Sequence, residues 1–468
     1  MTKTSVPHPA SFRDPAGYVF IKNNQVYRKI NTVGKAEFDS FYQSKFYKEL
    51  TSRGWLIPHL DVSDEFELTE EQAVIKPQPI PYISYPYEWC FSQLKDAALL
   101  TLDIQLLALE HGFTLKDASA FNIQFINSRP VFIDTLSFTR YDEGPWVAYR
   151  QFCQHFLAPL LLTQQVDYRF SLFSRNFIDG LPLDFVSKLL PKKSWVNFGI
   201  LSHLHLHAKS QRHFSDVRKL NGASSRLKSA NLNAEKLTAL ISNLRNTVNR
   251  LFMNETETEW GDYYQVNDYS SSQSLEKKAI VEAFLNETHT PLSLIADLGS
   301  NSGEFTQLCG LHCQQVVAFD VDFRAIEALY QRCVAKPELN ILPLLFDLTN
   351  PSPGIGWHNR ERESFMHRAK FDLVMVLAVI HHMVIGNNVP LDVFISSLAT
   401  MTKRYLIIEF VDKKDSQVQR MLSTRKDIFI DYNISTFEKA IHNHFDVVKS
   451  AKIEGSHRNI YLLKKHHA

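Results

Sequence analysis

Residues 292–303 read LSLIADLGSNSG, an apolar strand with an aspartate near its end followed by a loop of small residues. Small residues let a backbone turn sharply and approach a ligand closely, and the helix predicted after the loop offers free amide groups at its N-terminus. Asn301 stands where the dinucleotide-binding fingerprint usually has its middle glycine. The stretch therefore predicts a nucleotide-type cradle between a strand and a helix.

Beyond this stretch, apolar strands alternate regularly with amphipathic helices. Strands are predicted at 292–298, 315–320, 341–346, 371–379 and 405–410, with helices at 304–312, 324–335, 391–401 and 436–444. Such alternation predicts a parallel, doubly wound sheet. Two last segments, 446–453 and 459–464, flank a short turn around Gly455 and predict an antiparallel hairpin at the end of the sheet.

Acidic residues stand at the ends of the first three strands: Asp297, Asp320 and Asp347, with Asp322 just beyond the second. A carboxylate at the end of the second strand is placed to accept hydrogen bonds from a ribose diol. With these acids, seven strands and a closing hairpin, residues Leu292 to Lys464 resemble the class I S-adenosylmethionine-dependent methyltransferases. The fold class expected is thus α/β, with a seven-stranded Rossmann-like methyltransferase sheet.

The resemblance implies S-adenosyl-L-methionine as cofactor and gives each acid a role. Asp297 would bind the methionine part, Asp320 the ribose and Asp347 the adenine amino group. The full expected cofactor-binding set is Asp297, Gly299, Ser300, Asn301, Gly303, Asp320, Asp347 and Leu377. The aromatic residues upstream also look like the segment that precedes this domain in a nodulation-protein-like group of bacterial methyltransferases: Trp260, Tyr263, Tyr264 and Tyr269.

Candidate catalytic residues follow the fourth and fifth strands. His382 comes after His381 where ligands of open parallel sheets bind, and imidazole titrates near neutrality, so His382 is a candidate general base on the acceptor side. Alternatively, one histidine only shapes the cofactor pocket and the other packs. Glu409 is a second acceptor-side candidate, or a charged residue at a sheet edge. The long polar insertion at 351–368 is typical of a substrate lid.

The N-terminal half carries a second, shorter pattern. Asp117, Asn122 and, after a predicted hairpin, Asp134 have the spacing of the catalytic and metal loops of protein-kinase-like and aminoglycoside-kinase-like phosphotransferases, which this part resembles. Upstream, 18–21 and 25–30 predict a hairpin around Asn23-Asn24, followed by a helix over 35–50. Lys29 and Glu37 would then form the lysine–glutamate pair of a small lobe. Departures from the family are Leu115, Thr135-Leu136 and the lack of a glycine-rich loop. Three interpretations stay open: a degenerate kinase-like fold used for binding, an active phosphotransferase with Asn122 and Asp134 as metal ligands, or a chance resemblance.

Length and composition bound the remaining possibilities. The 468 residues suggest two or three domains, for which we predict an α+β, kinase-like domain over 1–213, a helical connector over 214–254 and a methyltransferase domain over 255–468. Lysine and arginine number 51 against 50 acidic residues, which gives no strong nucleic-acid signal. No signal peptide or apolar span is visible, so we expect a cytoplasmic protein without a membrane partner.

Cysteine and histidine residues are possible metal ligands, but their pattern in this sequence does not favour a metal site. The five cysteines are sparse and odd in number, which fits reduced thiols better than a disulfide framework or a zinc site. His203, His205 and His207 alternate as on one face of a strand, but no acidic or cysteine partner is near in the sequence. We therefore expect no metal at either set.

These observations together predict a methyltransferase that uses S-adenosylmethionine and acts on an O or N nucleophile of an unknown acceptor. Because the sulfonium already carries the leaving group, catalysis would consist mostly of binding and alignment. A noncatalytic protein that binds the cofactor or a nucleotide is the alternative from another class. A bifunctional kinase–methyltransferase is the third possibility.

Overall fold

The structure is a computed structural model that describes residues 7–209, 233–253, 271–289 and 291–466. The chain divides into two compact units. The N-terminal unit comprises Met1–Glu255 together with Gly354–Arg362, and the C-terminal unit comprises Thr256–Pro353 and Glu363–Ala468. The predicted aromatic segment around Trp260 lies outside the described residues, as does all of the region 214–232 at the start of the predicted connector.

The N-terminal unit begins with an antiparallel sheet of four strands in the order β1-β2-β4-β3. Its strands are β1 (Gly17–Lys22), β2 (Gln25–Ile30), β3 (His59–Asp61) and β4 (Ala73–Pro77). The hairpin between the first two strands turns at Asn23 and Asn24, whose φ values of 52° and 58° are those of a type I′ turn. This part of the chain was predicted as a hairpin, and the prediction is confirmed.

Two helices, α1 (Thr32–Tyr42) and α2 (Lys45–Ser52), follow the hairpin where the sequence predicted one. The helix predicted over 35–50 is broken because Ser44 is extended, with φ −75° and ψ 158°, and its side chain accepts a hydrogen bond from Tyr47 N. A serine in this geometry is a helix N-cap. The polar residue that looked tolerable inside a helix therefore starts a new one.

The remainder of the N-terminal unit is built around the 20-residue helix α3 (Phe91–Glu110), which is apolar on most of its circumference. Two short ladders follow it, formed by β5 (Phe113–Leu115) with β8 (Phe138–Arg140) and by β6 (Ile123–Ile126) with β7 (Arg129–Phe132). The later helices are α4 (Tyr149–Phe152), α5 (Ala158–Gln165), α6 (Leu183–Leu189), α7 (Phe198–Ile200) and α8 (Ala234–Asn249).

Helix α8 is the amphipathic helix that we predicted as a connector. Its apolar stripe is buried at Leu237, Ile241, Leu244 and Val248. It packs on α3, and Arg245 of α8 pairs with Asp103 of α3 through Nη2 at 3.0 Å. The helix is thus part of the N-terminal unit, because its buried face finds its partner there.

The three alternating histidines are helical, which corrects the predicted strand. Residues Leu201–Leu206 form a π-helical turn. His203 lies between the Tyr149 hydroxyl at 2.6 Å and Asn243 Oδ1 at 2.8 Å, and His205 contacts the hydroxyls of Ser187 and Ser194, each at 2.8 Å. Buried histidines with such partners are packing residues.

The C-terminal unit contains one large sheet of seven strands, with the order β11-β10-β9-β12-β13-β15-β14. The first four along the chain are β9 (Leu292–Leu298), β10 (Cys313–Asp320), β11 (Ile341–Leu345) and β12 (Phe371–Val376); they and β13 (Thr402–Val411) are parallel. β14 (Phe445–Lys452) and β15 (Arg458–Lys465) form an antiparallel hairpin, and β15 also pairs with β13 antiparallel. The predicted α/β class with a large, mostly parallel sheet is confirmed.

Helices connect the strands of this sheet. They are α9 (Ser271–Asn286), α10 (Thr306–Gly310), α11 (Phe323–Ala335), α12 (Phe365–Arg368), α13 (Leu391–Met401), α14 (Ser416–Leu422) and α15 (Ile434–His442). Side chains from both the helices and the sheet form one apolar core, which includes Val281, Leu329 and Ile407. Helices between parallel strands carry the chain back across the sheet, so every parallel strand ends at the same edge.

The insertion between β11 and β12 is the segment for which the sequence predicted a substrate lid, and part of it belongs to the other unit. Its residues Gly354–Arg362 belong to the N-terminal unit. There the buried Glu361 carboxylate accepts hydrogen bonds from Arg13 Nε at 2.6 Å and Nη2 at 3.0 Å, and the Arg362 guanidinium lies 4.3 Å from the centre of the Phe121 ring. The position of this segment is therefore determined by contacts with Arg13 and Phe121, which are distant in the sequence and not visible in a local pattern.

Two further properties concern the described residues as a whole. None of the helices in that part of the chain combines the length and the apolar character needed to cross a membrane. All five cysteines lie there, and none forms a disulfide, as the sequence predicted.

Candidate functional site

A cleft of about 290 Å³ opens at the carboxyl ends of β9, β10, β11 and β12 in the C-terminal unit. Most of the residues predicted to bind a cofactor line it: Asp297, Gly299, Ser300, Asn301, Asp320, Asp347 and Leu377, together with the predicted catalytic residue His382. Gly303 and Glu409 are not among the lining residues. The parallel topology thus brings together strand ends that lie as far apart in the sequence as Leu298 and Val376.

The first loop of the cleft depends on residues with positive φ. Gly299 has φ +81°, and a Cβ added there would lie 2.5 Å from Val379 Cγ2. Asn301 has φ +46°, so it adopts the left-handed conformation that asparagine tolerates better than most residues. The departure from the glycine fingerprint at Asn301 therefore does not prevent the loop from turning.

Asp320 closes the loop against the second strand. Its carboxylate accepts hydrogen bonds from Asn301 N at 2.7 Å and from Asp322 N at 2.8 Å. Burial raises the pKa of Asp320 to about 6, although these amide donors act in the opposite direction. Asp322 has a separate task, because its side chain caps α11 by accepting from Arg324 N and Ala325 N.

Asp297 is a second buried carboxyl group in the cleft, with 3% of its surface exposed. Its Oδ2 accepts a hydrogen bond from Thr306 Oγ1 at 2.5 Å. Burial raises the pKa of Asp297 to about 7, and the neighbouring Asp320 adds to that rise. A carboxyl group in such surroundings gains most from a cation placed beside it.

Two further polar groups of the lining complete the cradle. Ser300 Oγ is buried and has no hydrogen-bond partner among the described residues. Asp347 Oδ1 accepts from Thr349 N at 2.8 Å and from Thr349 Oγ1 at 2.6 Å, which fixes the direction of this carboxylate after the third strand. A buried hydroxyl without a partner is rare in native proteins and points to a missing ligand or water.

The two histidines take different positions at the end of β12. His382 begins a π-helical turn, His382–Gly386, and lines the cleft, whereas His381 has 1% of its surface exposed and lies outside the lining. Burial lowers the pKa of His382 to about 4. This places its titration well below the neutral range that we expected, so its imidazole is uncharged at physiological pH.

The strand before the histidines is followed by an unusual backbone conformation that no sequence pattern predicted. Ala378 lines the cleft with φ +56°, a conformation that costs a non-glycine residue about 1–2 kcal/mol. Such strain is retained where the surrounding structure determines the backbone and often marks a functional site. Ala378 is therefore a site residue that only the structure reveals.

Glu409 was a candidate for contact with the acceptor, but the structure places it beneath the cleft. It has no exposed surface. Its Oε2 lies 2.7 Å from Lys277 Nζ, and its Oε1 lies 3.6 Å from Arg458 Nη1. Lys277 itself lines the cleft.

The sequence analysis missed Lys277, although a signal was present. Lys277, Val281, Phe284 and Leu285 are the i, i+4, i+7 and i+8 positions of α9, and all four are buried. A lysine on the buried stripe of a helix is unusual, since lysine is almost never buried without a partner. The pattern itself therefore marks the residue.

Comparison of the whole chain with known proteins gives a family. The chain is 35% identical over 462 residues to the nodulation protein NoeA of Rhizobium meliloti strain 1021, an alignment that covers 97% of this chain and 95% of the relative. The chain belongs to the NoeA family. No established protein-family profile matches it.

Two methyltransferases of known structure each resemble less than half of this NoeA-family chain. The N-methyltransferase NodS from Bradyrhizobium japonicum WM9 in complex with S-adenosyl-L-homocysteine is 16% identical, with a TM-score of 0.33, and the match covers 44% of this chain and 93% of NodS. Magnesium protoporphyrin IX methyltransferase from Synechocystis PCC 6803 with bound S-adenosylhomocysteine is also 16% identical, with a TM-score of 0.33, over 44% of this chain and 92% of that enzyme.

In the N-terminal unit of the NoeA-family chain, the predicted kinase-like residues have protein partners. Arg28 of β2 pairs with Asp134, which also accepts from Ser137 Oγ at 2.6 Å. Burial alone would raise the pKa of Asp134, but Arg28 and these hydrogen bonds bring it below its ordinary value. Asn122 Nδ2 is 3.4 Å from Ser137 Oγ.

Two further features bear on the kinase-like reading. The expected partner of Glu37 was Lys29, but Glu37 pairs with Lys116 Nζ at 2.6 Å. In the part of the chain that the structure describes, no three His, Cys, Asp or Glu side chains are grouped closely enough to hold a metal ion. A role of Asn122 and Asp134 as metal ligands therefore stays a prediction.

Proposed function

We propose that this protein is a methyltransferase that uses S-adenosylmethionine to methylate an O or N nucleophile. The observation that carries the proposal is the cleft at the carboxyl ends of four parallel strands, where Asp297, Asp320 and Asp347 converge on a loop with three residues of positive φ. In open parallel sheets ligands bind at this edge. The residues of the cleft lining do not identify the acceptor.

The chemistry of the lining fits the cofactor. Asp320 follows the second strand, as expected of a carboxylate that accepts hydrogen bonds from the two ribose hydroxyls. Asp347 is directed by Thr349 and would accept from the adenine amino group. Ser300 Oγ, which is buried without a partner among the described residues, would gain one from the ligand.

When bound, S-adenosylmethionine supplies a methyl group on a sulfonium, which is already activated for transfer. The protein's own residues bind and align. Phe305, Leu377 and Val379 give the cleft an apolar wall that excludes water from the reacting atoms. His382 is the lining side chain that can take a proton from an acceptor hydroxyl or amine, since its imidazole is neutral at pH 7.

Calorimetric titration with S-adenosylhomocysteine tests the first step. We expect the intact protein to bind it, and Asp320→Ala to weaken binding by at least about tenfold because a charge-assisted hydrogen bond is lost. Asp392→Ala is the matched control, since Asp392 is an exposed aspartate of the same unit and should leave binding unchanged. Lack of binding by the intact protein, or unchanged binding by Asp320→Ala, would contradict the proposal.

The noncatalytic alternative makes a different prediction for turnover. Incubation with methyl-labelled S-adenosylmethionine and a cell extract should transfer label to an acceptor and release S-adenosylhomocysteine. Binding without any transfer, over a range of extracts from cells that carry the gene, would favour the alternative. The left-handed Asn301, which motivated that alternative, is compatible with the loop as it stands.

A further inference from the structure

A second cavity, of about 460 Å³, lies in the N-terminal unit and is separate from the cleft described above. Its volume is within the range of about 300–1,000 Å³ that is usual for small-molecule sites. Three parts of the chain that are distant in the sequence form its wall: the end of α5, the segment that leads into α7, and the chain after α8. The lining residues are Gln164, Gln165, Lys193, Ser194, Val196, Asn197, Ile200 and Phe252.

The polar groups of this lining are nearly all neutral. Three carboxamides and one hydroxyl line the cavity, and Lys193 carries the only charge among its described lining residues. Because these residues include no acidic side chain, the cavity does not favour a cation, and a single ammonium is too little positive charge for a polyphosphate. The lining therefore favours a ligand with many hydrogen-bonding groups and little charge.

Two of the carboxamides have hydrogen-bonding groups left for a ligand. Gln165 Oε1 is buried and has no hydrogen-bond partner among the described residues, which is rare for a buried acceptor. Asn197 Oδ1 accepts from Ile200 N at 3.1 Å and so caps α7, which leaves the Asn197 amide nitrogen as a donor. The Ser194 hydroxyl is already paired with His205 Nε2 at 2.8 Å. The lining thus offers an acceptor and a neutral donor, and the Lys193 ammonium adds a charged donor.

The same cavity has an aromatic surface. Phe252 lines it and is largely exposed, and the neighbouring apolar lining residue Val196 is exposed as well. Large apolar side chains left exposed beside convergent polar groups are typical of a binding site. An aromatic ring offers a flat apolar surface on which the C–H groups of a ligand can pack.

We propose that this cavity binds a sugar unit of a carbohydrate. The hydroxyls of a sugar ring both donate and accept hydrogen bonds, which suits carboxamides because they too have both functions. Gln165 Oε1 accepts from one hydroxyl, whereas Asn197 Nδ2 and Lys193 Nζ donate to others. The C–H face of the sugar packs on the Phe252 ring. The inference goes beyond the proposed methyl transfer and does not depend on it, because it rests on residues of the N-terminal unit alone.

Binding of the full chain to an array of immobilised mono- and oligosaccharides tests the proposal, and calorimetric titration with the sugar bound most strongly gives a dissociation constant. For Lys193→Met we expect this constant to rise roughly tenfold, as for loss of a hydrogen bond from a charged group. For Asn197→Ser we expect a rise of about fivefold, because serine also caps a helix but lacks the amide donor. Lys192→Met is the matched control, since Lys192 is the neighbouring exposed lysine and lies outside the lining.

Thermal unfolding of each variant shows that it is folded, and titration with inorganic phosphate tests for a simple anion site. Lack of binding to every member of the array would overturn the inference. Sugar binding that Lys193→Met and Asn197→Ser leave unchanged, or that Lys192→Met weakens equally, would also overturn it, as would phosphate that displaces the sugar. Failure of the intact protein to bind S-adenosylhomocysteine would instead refute the proposed function and leave this site untouched.

Discussion

Asp297 and Asp320 are buried acids whose pKa values, about 7 and about 6, lie far above the ordinary value of an aspartate. A carboxyl group with a raised pKa binds its proton more tightly in the folded state than in the unfolded state. It therefore adds stability below its ordinary pKa near 4, and that contribution is lost as the pH rises through about 7. The cleft without a ligand should accordingly be less stable in alkaline than in mildly acidic solution.

Asp297→Asn tests this at the residue scale. The amide cannot ionise, so the variant should be more stable than the intact protein at pH 8, by on the order of a few kcal/mol, with an unfolding temperature roughly 5 °C higher. At pH 4.5 the difference should fall to about 1 kcal/mol, because ionisation of Asp297 in the unfolded state is then only partly complete. The measurement is calorimetric unfolding of both proteins from pH 4.5 to 8 without ligand. A difference that does not depend on pH would show that ionisation of Asp297 is not its cause.

His382→Ala tests the role of the histidine in the cleft. If His382 is the base, turnover at saturating cofactor and acceptor should fall by about 10² to 10⁴, nearer to 10² because a base with a pKa of about 4 is poorly matched to neutral pH. For the intact enzyme, the acidic limb of the pH profile should lie near pH 4 and be absent in the variant. His442→Ala, at an exposed position of α15, is the control. Unchanged turnover would remove His382 from the mechanism. Alignment of the cofactor and the acceptor in a cleft without water would then be the remaining source of catalysis.

At the scale of elements, the first loop of the cleft is held against α11. Gly303 has φ +82°, and a Cβ at this position would lie 2.5 Å from Leu329 Cδ1 in the middle of that helix. The glycine is outside the cleft lining, so its role is to let the loop and the helix approach. The sequence predicted Gly303 as a cofactor-binding residue. The contact with Leu329 gives Gly303 an indirect role, because it holds the loop that lines the cleft.

Gly303→Ala should therefore destabilise the C-terminal unit by about 2–4 kcal/mol, the sum of left-handed strain and overpacking. Gly455→Ala isolates the first contribution, because Gly455 has φ +68° in the same unit but its added Cβ would meet only Gln273 Nε2, at 3.5 Å. We expect this control to cost about 1–2 kcal/mol. Equal costs in denaturant unfolding would mean that the contact with Leu329 relaxes without penalty.

At the scale of the whole molecule, the N-terminal unit includes a segment from the second half of the sequence, Gly354–Arg362. Its Glu361 side chain is 2% exposed and depends on Arg13, which is half exposed. The charged hydrogen bonds from Arg13 hold the pKa of Glu361 below its ordinary value, although burial opposes this. The unit is thus completed by residues more than 300 positions apart.

Arg13→Met leaves the buried Glu361 carboxylate without its main partner. We expect a loss of about 2 kcal/mol in the unfolding of the N-terminal unit, less than for a fully buried pair because Arg13 is partly solvated. Arg169→Met is the control, since its pair with Asp167 has an arginine that is 72% exposed and should contribute nearly nothing. If the two variants unfold alike, the segment does not depend on this ion pair.

The amino-acid sequence by itself determined the C-terminal sheet. Strand β9 and helix α13 have the predicted bounds, and the strands β14 and β15 of the hairpin differ from their prediction by one residue at each end. These elements follow from local periodicity, which repeats every two or 3.6 residues and is therefore visible in a single sequence. The acids at the strand ends could be assigned to one cleft because parallel strands end at the same edge.

Only the tertiary structure decided the properties that depend on distant partners. Two helix boundaries were missed for a local reason: the helix predicted over 35–50 is two helices, and α14 was not predicted, because a single cap residue, Ser44 or Asp415, starts the helix that follows it. The surroundings of Lys277 and Glu409 depend on contacts between α9, β13 and β15. The position of Gly354–Arg362 depends on the hydrogen bonds between Arg13 and Glu361. Burial and charge pairing arise from contacts between residues far apart in the chain, so the pKa of His382 and the buried state of Glu409 cannot be read from neighbours in the sequence.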